Sequence, residues 1–303
     1  MIIVTAGRHY LDIDAYAGIV AYSELLIAQG LSAAAVSAAP FNSSITPSLR
    51  AITTELIREY TPGRDDEFVV IDVANPEAIA DFVDLDKVSK VIDHHPGCEK
   101  FWIGKRAELQ IEDVGAACTQ VFEYWSAAKM EGRLTEGTTR LLMAGILDNT
   151  LGLRAQVTTD RDRAAYVLLQ TKLGDSGEFA EQYFTECQTE IEKDIKSALL
   201  NDTKEIEYPG FKRVRVGQLA IWDSSMLSEK LFDDLKTTET DGRFVNLIDI
   251  SEGTSFFISS DAEVKEYLAT ITGAQFESDV ANAGRMWLRK EIMQAALRFS
   301  GEI

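Results

Sequence analysis

Histidine is nearly absent from this chain, with three in 303 residues. Cysteine is as rare, at Cys98, Cys118 and Cys187. An odd number at those spacings fits neither a disulfide framework nor a zinc pattern, which places the chain in a reducing cytoplasm. Cys118 and Cys187 read as small buried side chains. Long apolar runs are missing too. None approaches the ~20 residues of a membrane span, so no membrane partner is expected. The opening "MIIVTAGRHY" lacks a basic n-region, and its apolar run is too short for a signal peptide; it reads as a first strand. Basic residues are scarce: 30 Lys and Arg face 49 Asp and Glu, a formal net charge of −19. That field repels a phosphate backbone and excludes a nucleic acid duplex as partner. An anionic substrate would need local cations or metal ions to overcome it. Biased tracts and internal repeats are absent, and 46% hydrophobic with 26% charged residues is a globular composition. The length allows two domains, each with its own core.

What is present alternates. "MIIVTA", "SAAAVSA", "EFVVIDV", "KVSKVIDHH" and "ELQIEDVG" read as strands. Between and after them, "DAYAGIVAYSELLIAQG", "SLRAITTELIREY" and "AACTQVFEYWSAAKM" read as helices. The order predicts an α/β fold, a mainly parallel five-stranded sheet with helices on both faces. "EGTTRLLMAGILDNT", "DRDRAAYVLLQTKLG" and one long amphipathic helix in "GEFAEQYFTECQTEIEKDIKSALL" follow. After Leu200 the pattern changes to a hairpin around Pro209-Gly210, strands "RFVNLIDI" and "SFFISS", and a helix "AEVKEYLATI". The expected domains are 1–190, a helical connector 191–200, and a smaller α+β domain 201–303.

Ligands of open α/β sheets bind beyond the carboxyl ends of the strands. Four hydrophobic stretches deliver polar residues there: "IIVTAG" before His9, Asp12 and Asp14; "EFVVID" ending in Asp72; "KVSKVID" before Asp93, His94 and His95; and "MAGILD" ending in Asp148. A single Asp is more often a helix cap. All three histidines of the chain converging with these carboxylates is less ordinary. Packed carboxylates repel one another, and a bound cation compensates. Mixed imidazole and carboxylate ligands suit Mn²⁺, Co²⁺, Fe²⁺ or Zn²⁺ better than a pure Mg²⁺ site.

The "DHH" after an apolar strand, with Asp12-x-Asp14 upstream and Asp72 between, resembles the DHH phosphoesterase superfamily. "NDTKEIEYPGFKRVRVGQLAIWD" resembles the opening of the DHHA2 domain, and "LRKEIMQAAL" its closing segment. A Gly-Gly-Gly-His motif of the other branch is missing. The resemblance spans nearly the whole chain and points to the family II inorganic pyrophosphatase and exopolyphosphatase-like group. It implies a metal-dependent hydrolase that cleaves phosphoanhydrides by attack of metal-bound hydroxide, with Mn²⁺ foremost and Co²⁺ or Mg²⁺ as alternatives. It further implies that Asp12, Asp14, Asp72, His94 and Asp148 ligate a metal pair, with Asp72 bridging and His9 as a further ligand. Asp93 would orient a histidine. His95 would contact phosphate or assist proton transfer. Lys204, Arg289 and Lys290 would clamp phosphate oxygens. The partner is then a small phosphate-containing substrate, and a homodimer is an open option.

The sequence departs from the family pattern in places. The family has His four residues before the first Asp of an Asn-Pro-Asp-x-Asp run, whereas "GRHYLDID" puts Arg8 there and His9 one residue later. Arg8 in the ligand position would leave one metal tightly bound and a second weakly. "LDNT" puts Asn149 where the pyrophosphatases have Asp, and Leu288 stands for a usual Ser. A phosphomonoesterase or short-oligonucleotide phosphodiesterase of the same superfamily, and a non-catalytic phosphate or nucleotide sensor, therefore stay open.

Overall fold

Five short apolar runs pair as one all-parallel sheet in the computed structural model, which describes residues 1–227, 233, 235 and 243–301. They are β1 (Ile2–Thr5), β2 (Ala33–Ala35), β3 (Glu67–Ile71), β4 (Val88–Asp93) and β5 (Glu108–Ile111), in the order β2-β1-β3-β4-β5. The order reverses between β1 and β3. Such a switch point opens a crevice beyond the strand ends, and Asp72 directly follows β3 there.

Helices α1 (Ile13–Ala28), α2 (Pro47–Arg50), α3 (Glu99–Trp102), α4 (Ala117–Ala127), α5 (Glu136–Thr150) and α6 (Asp160–Leu173) complete this unit. Helix α1 is buried almost all round. It lies so near β3 that a Cβ on Gly18 would stand 2.8 Å from Ile71 Cγ2. Helix α5 crosses at Gly145, where a Cβ would stand 2.5 Å from Cys118 Sγ of α4 and 3.3 Å from Asp14 Cα of α1. A glycine at that crossing lets three helices meet beside one carboxylate. On the opposite sheet face, Phe68, Val70, Val88 and Val91 pack around Trp102 of α3, whose indole N–H donates to Ala74 O at 2.8 Å.

Two expected helices differ. Residues 48–60 form only the single turn α2. The β-branched run Ile52-Thr53-Thr54 is a poor helix former, and Ile57 instead bridges to Val36, extending the β2 edge. The long helix over 178–200 is two, α7 (Phe179–Lys193) and α8 (Ile195–Asn201). Asp194 breaks it at φ −153°, and its carboxylate accepts from Ser197 N to cap α8.

The chain divides into two compact units: 1–153 with 157–180, and 154–156 with 181–303. The second unit carries β6 (Thr203–Glu207), β7 (Arg213–Ile221), β8 (Arg243–Asp249), β9 (Thr254–Ile258), α9 (Ala262–Thr272), β10 (Gln275–Glu277), β11 (Val280–Asn282) and α10 (Arg289–Ser300). Its sheet runs β10-β11-β9-β8-β7-β6. β6 and β7 are the expected hairpin, and among the described residues β7–β8 is the one parallel pair of this sheet.

Candidate metal centre

Strand β4 ends by delivering Asp93, and His94 and His95 follow it. The Asp93 side chain is fully buried and folds back on the turn: Oδ1 accepts from His94 N at 2.7 Å, His95 N at 3.1 Å and His95 Nδ1 at 2.8 Å. Its Oδ2 has no hydrogen-bond partner. The pairing with Oδ1 fixes the proton of His95 on Nδ1 and turns Nε2 outward, on a side chain 56% exposed.

His94 points inward, with 1% of its side chain exposed. Nδ1 lies 3.0 Å from Val114 O. A carbonyl only accepts, so Nδ1 is the donor. Nε2 is buried without a hydrogen-bond partner and faces Asp72 Oδ1 at 3.2 Å and Asp14 Oδ2 at 3.7 Å. Asp72 sits at φ +61°, a left-handed conformation that Asp tolerates better than most residues. Its N–H donates to Ile92 O at 2.8 Å, tying this turn to β4. One ligand atom each from Asp72, Asp93, His94 and His95 lies within 4.8 Å of the others.

Asp14 belongs to the first turn of α1 and is wholly buried. Ala117 N donates to Oδ2 at 2.8 Å and Cys118 N to Oδ1 at 2.7 Å. The N-terminus of α4 thus points at this carboxylate, which itself sits in the first turn of α1, a favourable place for negative charge. Burial, and next the charge of Asp72, nonetheless push its pKa up to about 7; His94 and the Cys118 hydrogen bond oppose the rise. The Cys118 thiol is held well above its ordinary pKa, by burial first and by Asp14 next. Asp12 caps α1, its Oδ1 accepting from Ala15 N at 3.0 Å.

A pH test follows for metal-free protein. The folded pKa of Asp14 exceeds the unfolded value of 3.8, so the folded state holds the extra proton. The linked stability is complete below about pH 4 and is lost as pH rises to about 7, at no more than about 1.4 kcal/mol per unit. Urea unfolding between pH 5 and 8 should show this decline in wild type relative to Asp14→Asn. A difference that stays flat or grows with pH contradicts it.

Other expected site residues lie outside the four-residue cluster. Asp148 is in the last turn of α5, and its carbonyl accepts from Leu151 N. His9 is exposed. Arg8, also exposed, pairs with Asp81 at 2.7 Å. In the second unit Lys204 is exposed on β6, opposite Val216 of β7. Arg289 and Lys290 begin α10. The Arg289 guanidinium is held by the carboxylate and carbonyl of Asp202, and the backbone N–H of Arg289 donates to Gln218 Oε1 at 3.0 Å. Glu291 Oε2 accepts from Leu288 N at 2.7 Å, which caps α10 from one side where Leu288 offers no hydroxyl. The contributions of Val114, Ala117, Cys118 and Asp202 went unforeseen. All four act at least in part through main-chain atoms, which leave no mark in a sequence.

No protein-family model matches the chain. It is 22% identical over 300 residues, 95% of each chain, to a Lactobacillus johnsonii protein provisionally named a manganese-dependent inorganic pyrophosphatase. Among solved structures, a provisionally assigned family II inorganic pyrophosphatase of Methanococcus jannaschii superposes with a TM-score of 0.68 at 20% identity, over 98% of this chain and 99% of that one. An exopolyphosphatase-related protein from Bacteroides fragilis superposes with a TM-score of 0.51 at 11% identity, over 99% and 93%.

Proposed function

We propose that this chain, a homologue of the family II inorganic pyrophosphatases with their fold, is a divalent-metal-dependent phosphohydrolase acting on pyrophosphate or short polyphosphate. The carrying observation is His94. Its Nδ1–H is directed to Val114 O, which leaves Nε2 buried against two carboxylate oxygens. A lone pair facing two carboxylates calls for a cation between them. The donor set of imidazole and carboxylates fits Mn²⁺, with Co²⁺ or Mg²⁺ as substitutes.

The roles we assign are these. Asp12, Asp14, Asp72, His94 and Asp148 hold the metal, Asp72 serving both sites of a pair, with His9 as a further ligand. Two bound cations supply Lewis acidity against a polyanionic substrate and a nucleophile at neutral pH. Asp93 holds His95 with Nε2 outward, where it can hold or deliver a proton at a phosphate oxygen. Arg289, oriented by Asp202, neutralises phosphate charge with Lys204 and Lys290. The partner is a small phosphate-containing molecule, without nucleic acid duplex or membrane, and a homodimer fits the reading. No helix among the described residues is long and apolar enough to cross a membrane. The three cysteines are free thiols, in keeping with the cytoplasm we propose.

The test is metal analysis of purified protein, then phosphate release from pyrophosphate, tripolyphosphate, nucleotides and dinucleotides with Mn²⁺, Co²⁺ and Mg²⁺. We expect Mn²⁺-dependent release from the first two and none from dinucleotides. The exposure of His9 favours a second reading, a phosphate- or nucleotide-binding protein without turnover. Metal uptake and pyrophosphate binding with no release would establish that reading instead.

A further inference from the structure

Residues 114–118 serve both inward-facing ligands, through the Val114 carbonyl under His94 and the Ala117 and Cys118 N–H groups on Asp14. One buried carboxylate anchors this segment. Asp162 lies in the first turn of α6 and is fully buried. Its Oδ2 accepts from Gly115 N at 2.9 Å, Thr159 N at 2.7 Å and Thr159 Oγ1 at 2.7 Å, and its Oδ1 from Thr119 Oγ1 at 2.6 Å. The Thr159 bonds suffice to cap α6. The bonds to Gly115 and Thr119 are not needed for a cap, and they cross 47 and 43 residues of sequence. At Gly115 the approach is so close that a Cβ would stand 2.7 Å from Asp162 Oδ2.

We infer that Asp162 is a positioning residue for the metal centre, fixing residues 114–119 and through them the inward faces of His94 and Asp14. The chain of contacts is short: Asp162 to Gly115 N, the neighbouring Val114 carbonyl to His94 Nδ1. On the other side Thr119 ties Asp162 to the first turn of α4, whose leading N–H groups hold Asp14. Loosening the segment frees His94 to rotate and removes the donors that keep Asp14 aimed at its Nε2. The inference deepens the metal reading above and rests on it in one arm of the test only.

The variant is Asp162→Asn, which keeps the shape but removes the charge and leaves one acceptor oxygen for the four donors that two oxygens had served. Two quantities are measured. Mn²⁺ affinity by calorimetry should fall 10–100-fold, the range for partners that orient a ligand. In metal-free protein, hydrogen exchange of the His94 Nδ1–H should accelerate about tenfold or more, as expected once the segment carrying its acceptor is loosened. With three histidines in the chain, that signal is assigned by substituting His9 and His95 in turn. Leu169→Ala is the control, since it opens a cavity on the buried face of α6 yet leaves every Asp162 bond in place. It should lose stability but keep wild-type Mn²⁺ affinity and exchange. If Asp162→Asn does not fold, Thr119→Val carries the same test with a smaller loss, about threefold or more, as the removal of one hydrogen bond allows. Wild-type exchange in Asp162→Asn, or an equal loss in Leu169→Ala, overturns the inference. A wild type that takes up no Mn²⁺ sinks the metal reading, and the exchange arm alone then decides the part of Asp162.

Discussion

Asp72→Ala is expected to lose metal uptake and phosphate release together, with turnover falling about 10³-fold or more, because in the role proposed above it removes a ligand whose cations supply several kcal/mol of charge stabilisation. Asp72 Oδ1 lies 3.2 Å from His94 Nε2 and 3.7 Å from His95 Nδ1, so the substitution empties the middle of the cluster. Alanine at φ +61° also costs about 1 kcal/mol of backbone strain. Asp72→Asn separates the two effects. It tolerates the left-handed backbone but loses the charge, and should be about as inactive while melting higher than Asp72→Ala. Mn²⁺ titration and phosphate release measure the first effect, thermal melting of metal-free protein the second. Full release by either variant would remove Asp72 from the centre.

His95→Ala should do the opposite to metal. Half-exposed and turned outward by Asp93, His95 has the role proposed above of meeting substrate rather than metal. Mn²⁺ affinity should change little, while kcat falls 10²–10⁴-fold, the usual worth of a positioned acid or base. An unchanged kcat, or metal lost along with activity, would move His95 from proton transfer to ligation.

Most of the first unit was legible in the sequence, because its strands are continuous apolar runs and its long helices carry caps. "EFVVID" and "KVSKVIDHH" announced both a buried parallel strand and the polar residues at its end. What failed failed for local reasons. Residues 48–60 have a helical rhythm, but the β2 edge claims Ile57 as a partner. The helix through Asp194 is interrupted by an aspartate that caps the next helix more favourably than it continues the last. The parallel pairing of β7 with β8 was invisible, since strand runs carry no direction. In the site, the side chains Asp72, Asp93, His94 and His95 were found by type and order, and the structure gathers them. Their restraints were not, since Val114 acts through a carbonyl and Gly115 by lacking a side chain.

The left-handed backbone at Asp72 has a consequence for heredity. A single base change turns an aspartate codon into one for asparagine or glycine, and both residues accept this conformation more readily than most. The commonest mutational accidents at this position therefore leave the chain able to fold while removing its central charge. Selection on folding alone would not purge them. With Asp72 in the role proposed above, activity can drift away at this one codon long before the fold does, and folded, silent descendants are an expected by-product of how the turn is built.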